Sequence, residues 1–246
     1  AICLPGPPRE MKWLFENCVV DYLKRFSSKQ MYYRVIRTIG IGESDLETKL
    51  LPVIDNQDDP TIATYAKEGE CTLRVASQHE SITDAKLAVD NMIREIDKII
   101  GEYIYSYNDE ELAEVVVRQL RENNLKLSSA ESCTGGKFAS CITDVPGASN
   151  VFSHGFVTYS EDAKVGVLEV DRQIIEKCSV VSSEVAILMA KGVQKSSDSD
   201  IAVSITGYAG PEADAGRENG NAFIGYSCGN KLGNKSGFIE INTKRN

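Results

Sequence analysis

The sequence predicts an α/β fold, with a three-layer sheet that carries helices on both faces, preceded by a small α+β unit. From about residue 107 onward, apolar runs typical of strands alternate with amphipathic stretches typical of helices, and this alternation indicates a layered sheet. Before that point, strands with a period of two are grouped with two helical stretches. The chain has 246 residues, of which 42% are hydrophobic and 26% charged, as in a globular protein of one large domain or two to three small ones.

The composition excludes several classes of protein. The net charge of −9 argues against nucleic acid as the main partner, because such proteins usually carry a basic patch. No apolar run reaches the roughly 18 residues of a membrane span and no signal peptide is visible, so we expect a cytoplasmic protein without a membrane partner. The seven cysteines, none in C-x-x-C spacing, fit reduced thiols. The two histidines, His79 and His154, lie in no ligand-spaced cluster, and we expect neither a metal nor a cofactor.

Residues 1–29 contain a proline-rich turn and one amphipathic helix. Pro8 lies near the first position of this helix, where its missing N–H costs nothing. Apolar residues recur at steps of three and four from Met11 to Phe26 and form one broad face. Such a face requires a packing partner.

Residues 30–106 are predicted to form a compact unit of two helices and about three strands. The strands are expected at residues 32–39, 61–65 and 70–76. Ser44 and Glu47 have the spacing of a capping box, which predicts the start of a short helix. Ser81 or Thr83 is predicted to cap a second, longer helix with a continuous apolar stripe.

Residues 107–246 are predicted to form the layered sheet, after a linker at 107–109. The strands are expected at residues 125–130, 156–159, 201–206, 222–226 and 236–241. The helices are expected at 109–123, from about residue 135 with Phe138, Ala139, Cys141 and Ile142 inward, from Ser160, and at 183–195 after an N-cap at Ser182.

The turn after the first of these strands concentrates polar groups. Its hydroxyls and thiol belong to Ser129, Ser132, Cys133 and Thr134. Turns at the carboxyl ends of strands face the ligand crevice of an open α/β sheet, and the following helix start favours an anion or a developing oxyanion. Gly135 and Gly136 let the backbone approach a ligand closely. A capped turn without any function explains the same residues equally well.

Three strand ends carry polar groups that form a chemically coherent set: Ser132, Tyr159 with Lys164, and Thr206. A nucleophilic serine needs a base, and with histidine scarce Lys164 is the natural candidate, provided that burial lowers its pKa. Tyr159 can relay a proton or hydrogen-bond the lysine. Alternatively, Lys164 is a solvated residue at a helix start.

Several segments, in order along the chain, resemble motifs of the CinA family of competence-damage-inducible proteins. These segments are Ala-Glu-Ser-Cys-Thr-Gly-Gly at 130–136, then 143–149, 155–160 with Ala163 and Lys164, 181–185, and 204–211. The similarity to the family's C-terminal domain, a nicotinamide mononucleotide deamidase, covers about 107–241. Residues 30–106 resemble its KH-like middle domain, and residues 1–29 resemble the end of its molybdopterin-binding-like N-terminal domain.

The resemblance implies roles for individual residues. The family's catalytic serine, tyrosine and lysine fall on Ser132, Tyr159 and Lys164, and its substrate-contacting threonine falls on Thr206. The other motif residues expected at the substrate are Glu131, Thr134, Gly135, Gly136 and Gly207. The implied reaction converts the carboxamide of nicotinamide mononucleotide to a carboxylate and releases ammonia without a metal, and the implied assembly is a homo-oligomer, expected to be a dimer.

The sequence departs from the family pattern in two places. The loop at 212–220 lacks a glycine-rich acidic pattern that ends in Lys-Pro-Val-Gly, and the chain stops at Arg245-Asn246, where relatives continue into a helix whose arginine helps bind substrate. We therefore expect weaker substrate affinity and lower stability. A nucleotide-binding module without catalysis and an interaction protein in DNA uptake or repair stay open as alternatives. Cys133 stays open as a rival nucleophile, since a thiol at a helix start can be activated.

Overall fold

The structure, a computed structural model, describes residues 1–26, 28–67, 69–208 and 220–242. The chain falls into two compact units, residues 1–112 and residues 113–246. The sequence-based division into 1–29, 30–106 and 107–246 stays a prediction. Within the described part of the chain, no helix is both long enough and apolar enough to cross a membrane.

The N-terminal segment is helical, but almost none of it is buried. α1 (Pro8–Leu14) continues through a π-helical turn, Phe15–Val19, into α2 (Val20–Lys24). Val19 is the single buried residue of these three pieces, whereas Trp13 is 61% exposed. The predicted helix is confirmed, and most of its apolar face is open to solvent.

A four-stranded antiparallel sheet forms the centre of the first unit. Its strands are β1 (Gln30–Ile39), β2 (Thr61–Lys67), β3 (Glu70–His79) and β4 (Ile104–Ser106), in the spatial order β2-β3-β1-β4. Two helices, α3 (Glu43–Ile54) and α4 (Ile82–Ile100), pack on one face through a shared cluster of buried aliphatic side chains. The predicted strands and helices are confirmed. β4 is an additional strand, and its three residues are too few to show a period in the sequence.

The starts of the two helices in this unit have different caps. The Ser81 hydroxyl accepts a hydrogen bond from a backbone N–H of the first turn at 3.2 Å and caps α4, as expected. The capping box expected at Ser44 and Glu47 is wrong, because α3 begins at Glu43 after Gly42 and Ser44 lies inside its first turn. Glu47 instead accepts a hydrogen bond from a threonine hydroxyl of β2 at 2.8 Å, so a tertiary contact takes the place of the local one.

Two arginines of β1 hold the segment that was predicted to be a linker. Arg34 donates hydrogen bonds to the backbone oxygen of Tyr107 at 2.9 and 3.1 Å. Arg37, which is only 5% exposed, binds the carboxylates of Asp109 at 2.7 Å and Glu111 at 2.8 Å. The predicted linker is therefore fixed to the first unit.

A five-stranded mixed sheet forms the centre of the second unit. Its strands are β5 (Leu127–Glu131), β6 (Phe152–Val157), β7 (Ile201–Gly207), β8 (Asn221–Cys228) and β9 (Ser236–Asn242). The spatial order is β6-β5-β7-β8-β9. β5 pairs in parallel with both β6 and β7, and the pairs from β7 to β9 are antiparallel.

Helices cover both faces of this sheet. They are α5 (Leu112–Glu122), α6 (Lys137–Thr143), α7 (Glu161–Leu168), α8 (Arg172–Cys178) and α9 (Ser183–Ser197). One buried cluster joins α7, α8 and α9 to one face, and another joins α5 and α6 to the other face. The predicted three-layer α/β class is therefore confirmed.

Strand alternation sorts the residues at the end of β5 onto the two faces. Ala130 belongs to the cluster under α9, whereas Leu127 belongs to the cluster under α5 and α6. Because successive side chains of a strand point to opposite faces, Glu131 lies on the α5–α6 face. The next residue, Ser132, lies on the α9 face.

The strand expected at 156–159 is displaced towards the N-terminus. It spans Phe152–Val157, because β6 pairs in parallel with β5 from Leu127 onward. β6 lies at the edge of the sheet, and its exposed Ser153 and His154 look like a turn in the sequence. An edge strand is only partly buried, so it does not need a continuous run of apolar residues. The prediction depended on such a run.

The helices of the second unit agree with the prediction except that α5 begins at Leu112 rather than at 109, α6 begins at Lys137 rather than at about 135, and two further details differ. α8 was not predicted, since it has seven residues and its main signal is an Asp171 side chain that accepts a hydrogen bond from Gln173 N at 2.9 Å. Cys141 was expected to point inward but is exposed, because the buried side of α6 is centred on Ile142.

Some predictions fall outside the described residues. The motif residues Ala209, Gly210 and Pro211, the divergent loop at 212–219 and the chain end at Arg245 and Asn246 all lie there. The losses of affinity and stability expected from the loop and the chain end stay predictions.

Candidate functional site

Ser132 and Lys164 meet at the carboxyl end of β5. Lys164 Nζ lies 3.0 Å from Ser132 Oγ, and the exposed fractions of the two residues are 0% and 7%. The alternation along β5 turns Ser132 towards α7 and α9. Ser160 caps α7 by accepting a hydrogen bond from Ala163 N at 3.1 Å, and this fixes the helical turn that carries Lys164. The fold thus brings together two residues that are far apart in the sequence.

The hydrogen bonds of Lys164 define the direction of its lone pair. Nζ donates to the backbone oxygen of Thr158 at 2.8 Å and to that of Tyr159 at 3.2 Å. Carbonyl oxygens only accept hydrogen bonds, so these contacts fix two N–H groups of the amine. In the neutral amine, the remaining tetrahedral position points at Ser132 and holds the lone pair. The geometry is therefore that of a base placed to take the hydroxyl proton of Ser132.

The surroundings of Lys164 favour the neutral amine. Burial lowers the pKa of Lys164, while the nearby Cys133 and Glu161 oppose the shift, and the net direction is down. A lysine base requires a shift in this direction. The alternative of a solvated lysine at a helix start is wrong, because the side chain is fully buried.

Tyr159 contacts Lys164 through its backbone carbonyl at 3.2 Å. Its side chain lies at the surface, and the residue is 74% exposed. It follows β6 rather than lying within the strand, so the pairing with β5 does not fix its ring. Proton transfer through the phenol hydroxyl stays a prediction.

Sequence reasoning missed Thr158 as a site residue. Its N–H donates to the backbone oxygen of Glu131 at 2.9 Å, and its carbonyl accepts the hydrogen bond of Lys164 at 2.8 Å. Through these two hydrogen bonds Thr158 links β5, the end of β6 and Lys164. The residue is 1% exposed, so the link is buried. Backbone contacts leave no side-chain signature. The one usable signal was its position directly before Tyr159 near a strand end.

Thr206 lies beside Ser132 on the α9 face. The pair of Glu131 with Ile205 sets the register, and Ser132 N donates to Ile205 O at 2.9 Å, so the next residues along both strands are neighbours. Thr206 is 0% exposed, and its hydroxyl donates to Val180 O at 3.2 Å. Thr206 thus belongs to the same region of the sheet as Ser132, with its hydroxyl bound within the protein.

Gly207 is required by the close approach of two strands. A Cβ atom added there would lie 2.9 Å from the Cβ atom of Ala222 and 3.0 Å from the backbone oxygen of Asn221. Because β7 and β8 are paired at this point, neither atom can move away easily. The glycine therefore has a structural reason at this position, whether or not substrate approaches it.

Gly135 and Gly136 give the turn after Ser132 its shape. Their φ angles are +59° and +100°, in the region that glycine adopts without strain. Gly135 N donates to Ser132 O at 3.2 Å, and Gly136 is the N-cap residue of α6. Open space surrounds the position of an added Cβ at Gly135, so conformation rather than crowding favours glycine there.

The Glu131 carboxylate occupies the start of α6. It is 1% exposed and accepts hydrogen bonds from the backbone N–H groups of Gly136, Phe138 and Ala139 at 3.1, 3.0 and 2.9 Å. Burial raises the pKa of the Glu131 carboxyl, but the Thr134 hydroxyl and these three N–H groups lower it, and the net direction is down. The expectation that this helix start is open to a ligand anion is wrong for these three donors.

The N–H groups of Cys133 and Thr134 remain open. Neither of them donates a hydrogen bond to an oxygen atom of a described residue, whereas Gly135, Gly136 and Lys137 all do, and the acceptor beside them is the Cys133 sulfur, which accepts weakly. Burial raises the pKa of the Cys133 thiol, and the N–H groups of Cys133 and Thr134 together with the Lys164 charge only partly oppose this shift. Two open backbone donors therefore follow directly after the serine, next to a thiol that is held in its neutral form.

The fold and this site define a class of protein, an α/β protein with a buried serine–lysine pair at the carboxyl ends of parallel strands. The chain belongs to the CinA family. The family model of the CinA C-terminal domain matches residues 109–246, and that of the damage-inducible protein CinA KH domain matches residues 33–106.

Named relatives agree with this membership. The chain is 50% identical over 211 residues to a Caldicellulosiruptor saccharolyticus protein provisionally named competence-damage inducible protein, covering 86% of this chain and 51% of the relative. It is 47% identical over 214 residues to the CinA-like protein of Kosmotoga olearia, covering 85% and 51%. The chain therefore spans about half the length of these curated relatives.

Two solved structures share the fold of part of the chain. The competence/damage inducible protein CihA from Agrobacterium tumefaciens matches with a TM-score of 0.50 and 33% identity, over 52% of this chain and 77% of that one. The competence or damage-inducible protein from Enterobacter asburiae matches with a TM-score of 0.51 and 25% identity, over 55% and 86%.

Proposed function

We propose that the protein is an amidohydrolase that converts nicotinamide mononucleotide to nicotinic acid mononucleotide and ammonia. The observation that carries the proposal is the 3.0 Å contact between Lys164 Nζ and Ser132 Oγ, with two backbone carbonyls holding the amine. A serine activated by a neutral lysine is a nucleophile suited to acyl transfer. The geometry alone does not specify the substrate. The choice of nicotinamide mononucleotide rests on the motifs that resemble the CinA C-terminal domain.

In the proposed acylation step, Ser132 gives its hydroxyl proton to Lys164 and its oxygen attacks the amide carbon. The carbonyl oxygen becomes an oxyanion, and the open N–H groups of Cys133 and Thr134 are the donors placed to bind it. Collapse of this intermediate breaks the C–N bond. Lys164 returns the proton to the nitrogen, which leaves as ammonia, and Ser132 carries the acyl group as an ester.

In the proposed deacylation step, a water molecule takes the place of ammonia. Lys164 removes one proton from the water, and the resulting hydroxide attacks the ester carbon. The C–O bond to Ser132 then breaks and the serine oxygen regains a proton from Lys164. The product is a carboxylic acid, which ionises in neutral solution. The same pair of side chains therefore serves both halves of the reaction.

Other expected roles belong to this proposal as well. Tyr159 would assist the proton transfers, and Thr134, Gly135, Gly136, Thr206 and Gly207 would line the substrate site. A nucleotide substrate and reduced thiols fit a cytoplasmic location. A homodimer is proposed for the assembly, on the basis of the family resemblance.

The experiment is an ammonia-release assay on nicotinamide mononucleotide, with the Ser132→Ala variant as its matched control. We expect release by the unaltered chain and none by the variant. Ser132 lies on a turn and loses one oxygen atom, so the thermal midpoint of unfolding should stay the same. Turnover by a folded Ser132→Ala variant would contradict the assignment.

The same assay separates the alternatives. Nucleotide binding without ammonia release would favour a binding module, and neither binding nor release would favour an interaction protein. Because the chain spans about half of its relatives, the assay should also be run on a chain extended at the C-terminus. If only the extended chain released ammonia, the reaction would still belong to the Ser132–Lys164 site. The additional C-terminal segment would then be required for activity.

A further inference from the structure

Among the described residues near the serine, Glu131 is a buried carboxylate that the proposed reaction does not use. It directly precedes Ser132, but strand alternation places the two side chains on opposite faces of the sheet. The carboxylate therefore lies under the turn and α6 and does not reach the α9 face, where Ser132 meets Lys164. A direct contact with the substrate, which the motif resemblance implied for Glu131, does not fit this placement.

The Glu131 carboxylate forms a ring of hydrogen bonds with the backbone N–H groups of the turn and the first turn of α6. One oxygen accepts from Ala139 N at 2.9 Å, and the other accepts from Gly136 N at 3.1 Å and Phe138 N at 3.0 Å. The remaining donor of this stretch, Lys137 N, binds Thr134 O at 3.2 Å. All four N–H groups at the start of α6 are thus satisfied inside the protein.

This arrangement leaves two donors for a ligand. Cys133 and Thr134 lie between Ser132 and this ring, and their N–H groups have no oxygen acceptor among the described residues, since their neighbour is the weakly accepting Cys133 sulfur. The N–H that follows a nucleophile is the donor that acyl-transfer enzymes aim at the oxyanion. Its direction depends on the path of the turn, and that path is fixed at one end by β5 and at the other by the Glu131 carboxylate.

We infer that Glu131 is a positioning residue, which holds the backbone N–H groups of Cys133 and Thr134 in the orientation that binds the oxyanion. The inference rests on the proposed function, because it assigns a second requirement of the same site. Glu131 acts through the turn and touches neither substrate nor Ser132. Its charge stays on the opposite face, where three N–H groups compensate it, so it can shape the turn without repelling the oxyanion directly.

The variant Glu131→Gln tests this most sharply. Glutamine has the same shape but replaces one acceptor oxygen by an NH₂ group. That group must face either Ala139 N–H or the pair from Gly136 and Phe138, so a donor meets a donor and the turn shifts. The control is Ile142→Val, which shortens a buried side chain of the same helix and leaves the turn contacts unchanged.

The readout is the ratio of kcat/KM for nicotinamide mononucleotide to that for its thioamide analogue. Sulfur accepts hydrogen bonds poorly, so an enzyme that depends on an oxyanion site prefers the oxygen compound. We expect Glu131→Gln to lower this preference by about tenfold or more, within the range for loss of an oxyanion donor, and Ile142→Val to keep it. The ratio does not depend on the fraction of folded enzyme. Equal losses on both substrates, or no loss on either, would overturn the inference.

A second probe keeps this test independent of the proposed substrate. A phosphonofluoridate labels an activated serine: the P–O bond to Ser132 forms, fluoride leaves, Lys164 takes the proton, and the phosphoryl oxygen occupies the oxyanion site. If the unaltered chain labels but does not hydrolyse the nucleotide, the proposed function fails. The inference then stands if Glu131→Gln slows labelling about tenfold and falls if it labels at the parent rate. A chain that neither hydrolyses nor labels overturns both.

Discussion

The hydroxyl of Thr206 donates a hydrogen bond to the backbone oxygen of Val180 at 3.2 Å, and this ties the end of β7 to the segment before α9. Thr206 is fully buried, so its hydroxyl proton is already used within the protein. The neighbouring Ser132, at the end of the adjacent strand, has its oxygen bound to Lys164 instead. Two hydroxyl residues at equivalent positions in the sheet therefore have different partners.

This contact predicts the outcome of Thr206→Val, which keeps the shape of the side chain. Loss of the hydrogen bond leaves Val180 O without its donor, so the free energy of unfolding should fall by about 1 kcal/mol. KM for nicotinamide mononucleotide should change little, because Thr206 lines the proposed substrate site with its hydroxyl bound to Val180 O rather than to the substrate. Denaturant unfolding and steady-state kinetics measure the two effects. A rise of KM beyond about tenfold, equivalent to roughly 1.4 kcal/mol of binding, would show that Thr206 contacts the substrate.

Lys164→Met should lower kcat by at least about a hundredfold, as expected for loss of a general base. Methionine keeps most of the aliphatic length but has no amine. In the parent, kcat/KM should rise with pH as the amine loses its proton, through a pKa below the ordinary lysine value of about 10.4. Lys191→Met, at an exposed lysine of α9, is the control and should keep the parent profile. A rate that is independent of pH from mild acid to alkali would exclude a lysine base.

The lowered pKa of Lys164 also predicts how stability depends on pH. Between the folded-state pKa and about 10.4, the unfolded chain binds more protons at this residue than the folded chain does. The free energy of unfolding should therefore gain a contribution as pH rises through this window, and lose it as pH falls to the folded-state pKa. Denaturant unfolding at several pH values should show a smaller slope in Lys164→Met than in the parent. Equal slopes would mean that the amine has its ordinary pKa in the folded protein.

Cys133→Ala should keep most of the activity. Burial favours the neutral form of the thiol, and the two histidines of the chain have other partners, His79 binding Asp59 and His154 binding Ser153. The variant keeps the backbone N–H of residue 133, which is the group that the proposed mechanism uses. Ser132→Ala and Cys133→Ala should be assayed together on nicotinamide mononucleotide. If the alanine at 133 abolished turnover and the alanine at 132 did not, the thiol would be the nucleophile.

The meeting of Ser132 and Lys164 could be predicted because neighbouring parallel strands end at one edge of a sheet. The rule depends on which strands are neighbours and not on their end residues. The prediction therefore held although β6 lies nearer the N-terminus than expected. The role of Glu131 could not be predicted in the same way. The first strand was expected to end at Ala130, which left Glu131 in the turn, and one additional residue of strand decides which face its side chain lies on.

The hydrogen bonds that hold Lys164 could not be predicted from the sequence, for a different reason. Its partners are the backbone oxygens of Thr158 and Tyr159, and every residue type offers that acceptor. The motif around Tyr159 directed attention to the phenol ring, which lies at the surface. Where a side chain is held by backbone, the sequence shows only that a suitable turn is present.

The arginines of β1 determine where the two halves of this chain can be separated as independent polypeptides. A boundary chosen by composition falls near residue 107. Cutting there would remove Asp109 and Glu111 from Arg37. The Arg37 guanidinium is buried and would keep Glu70 as its acidic partner. A buried charge that loses two of its acidic partners is less well compensated, and this is destabilising. A cut between Glu111 and Leu112 keeps both carboxylates with the arginine and releases α5 intact. Recombinant fragments made at the later position should therefore fold, whereas an N-terminal fragment ending at residue 106 should aggregate or be degraded.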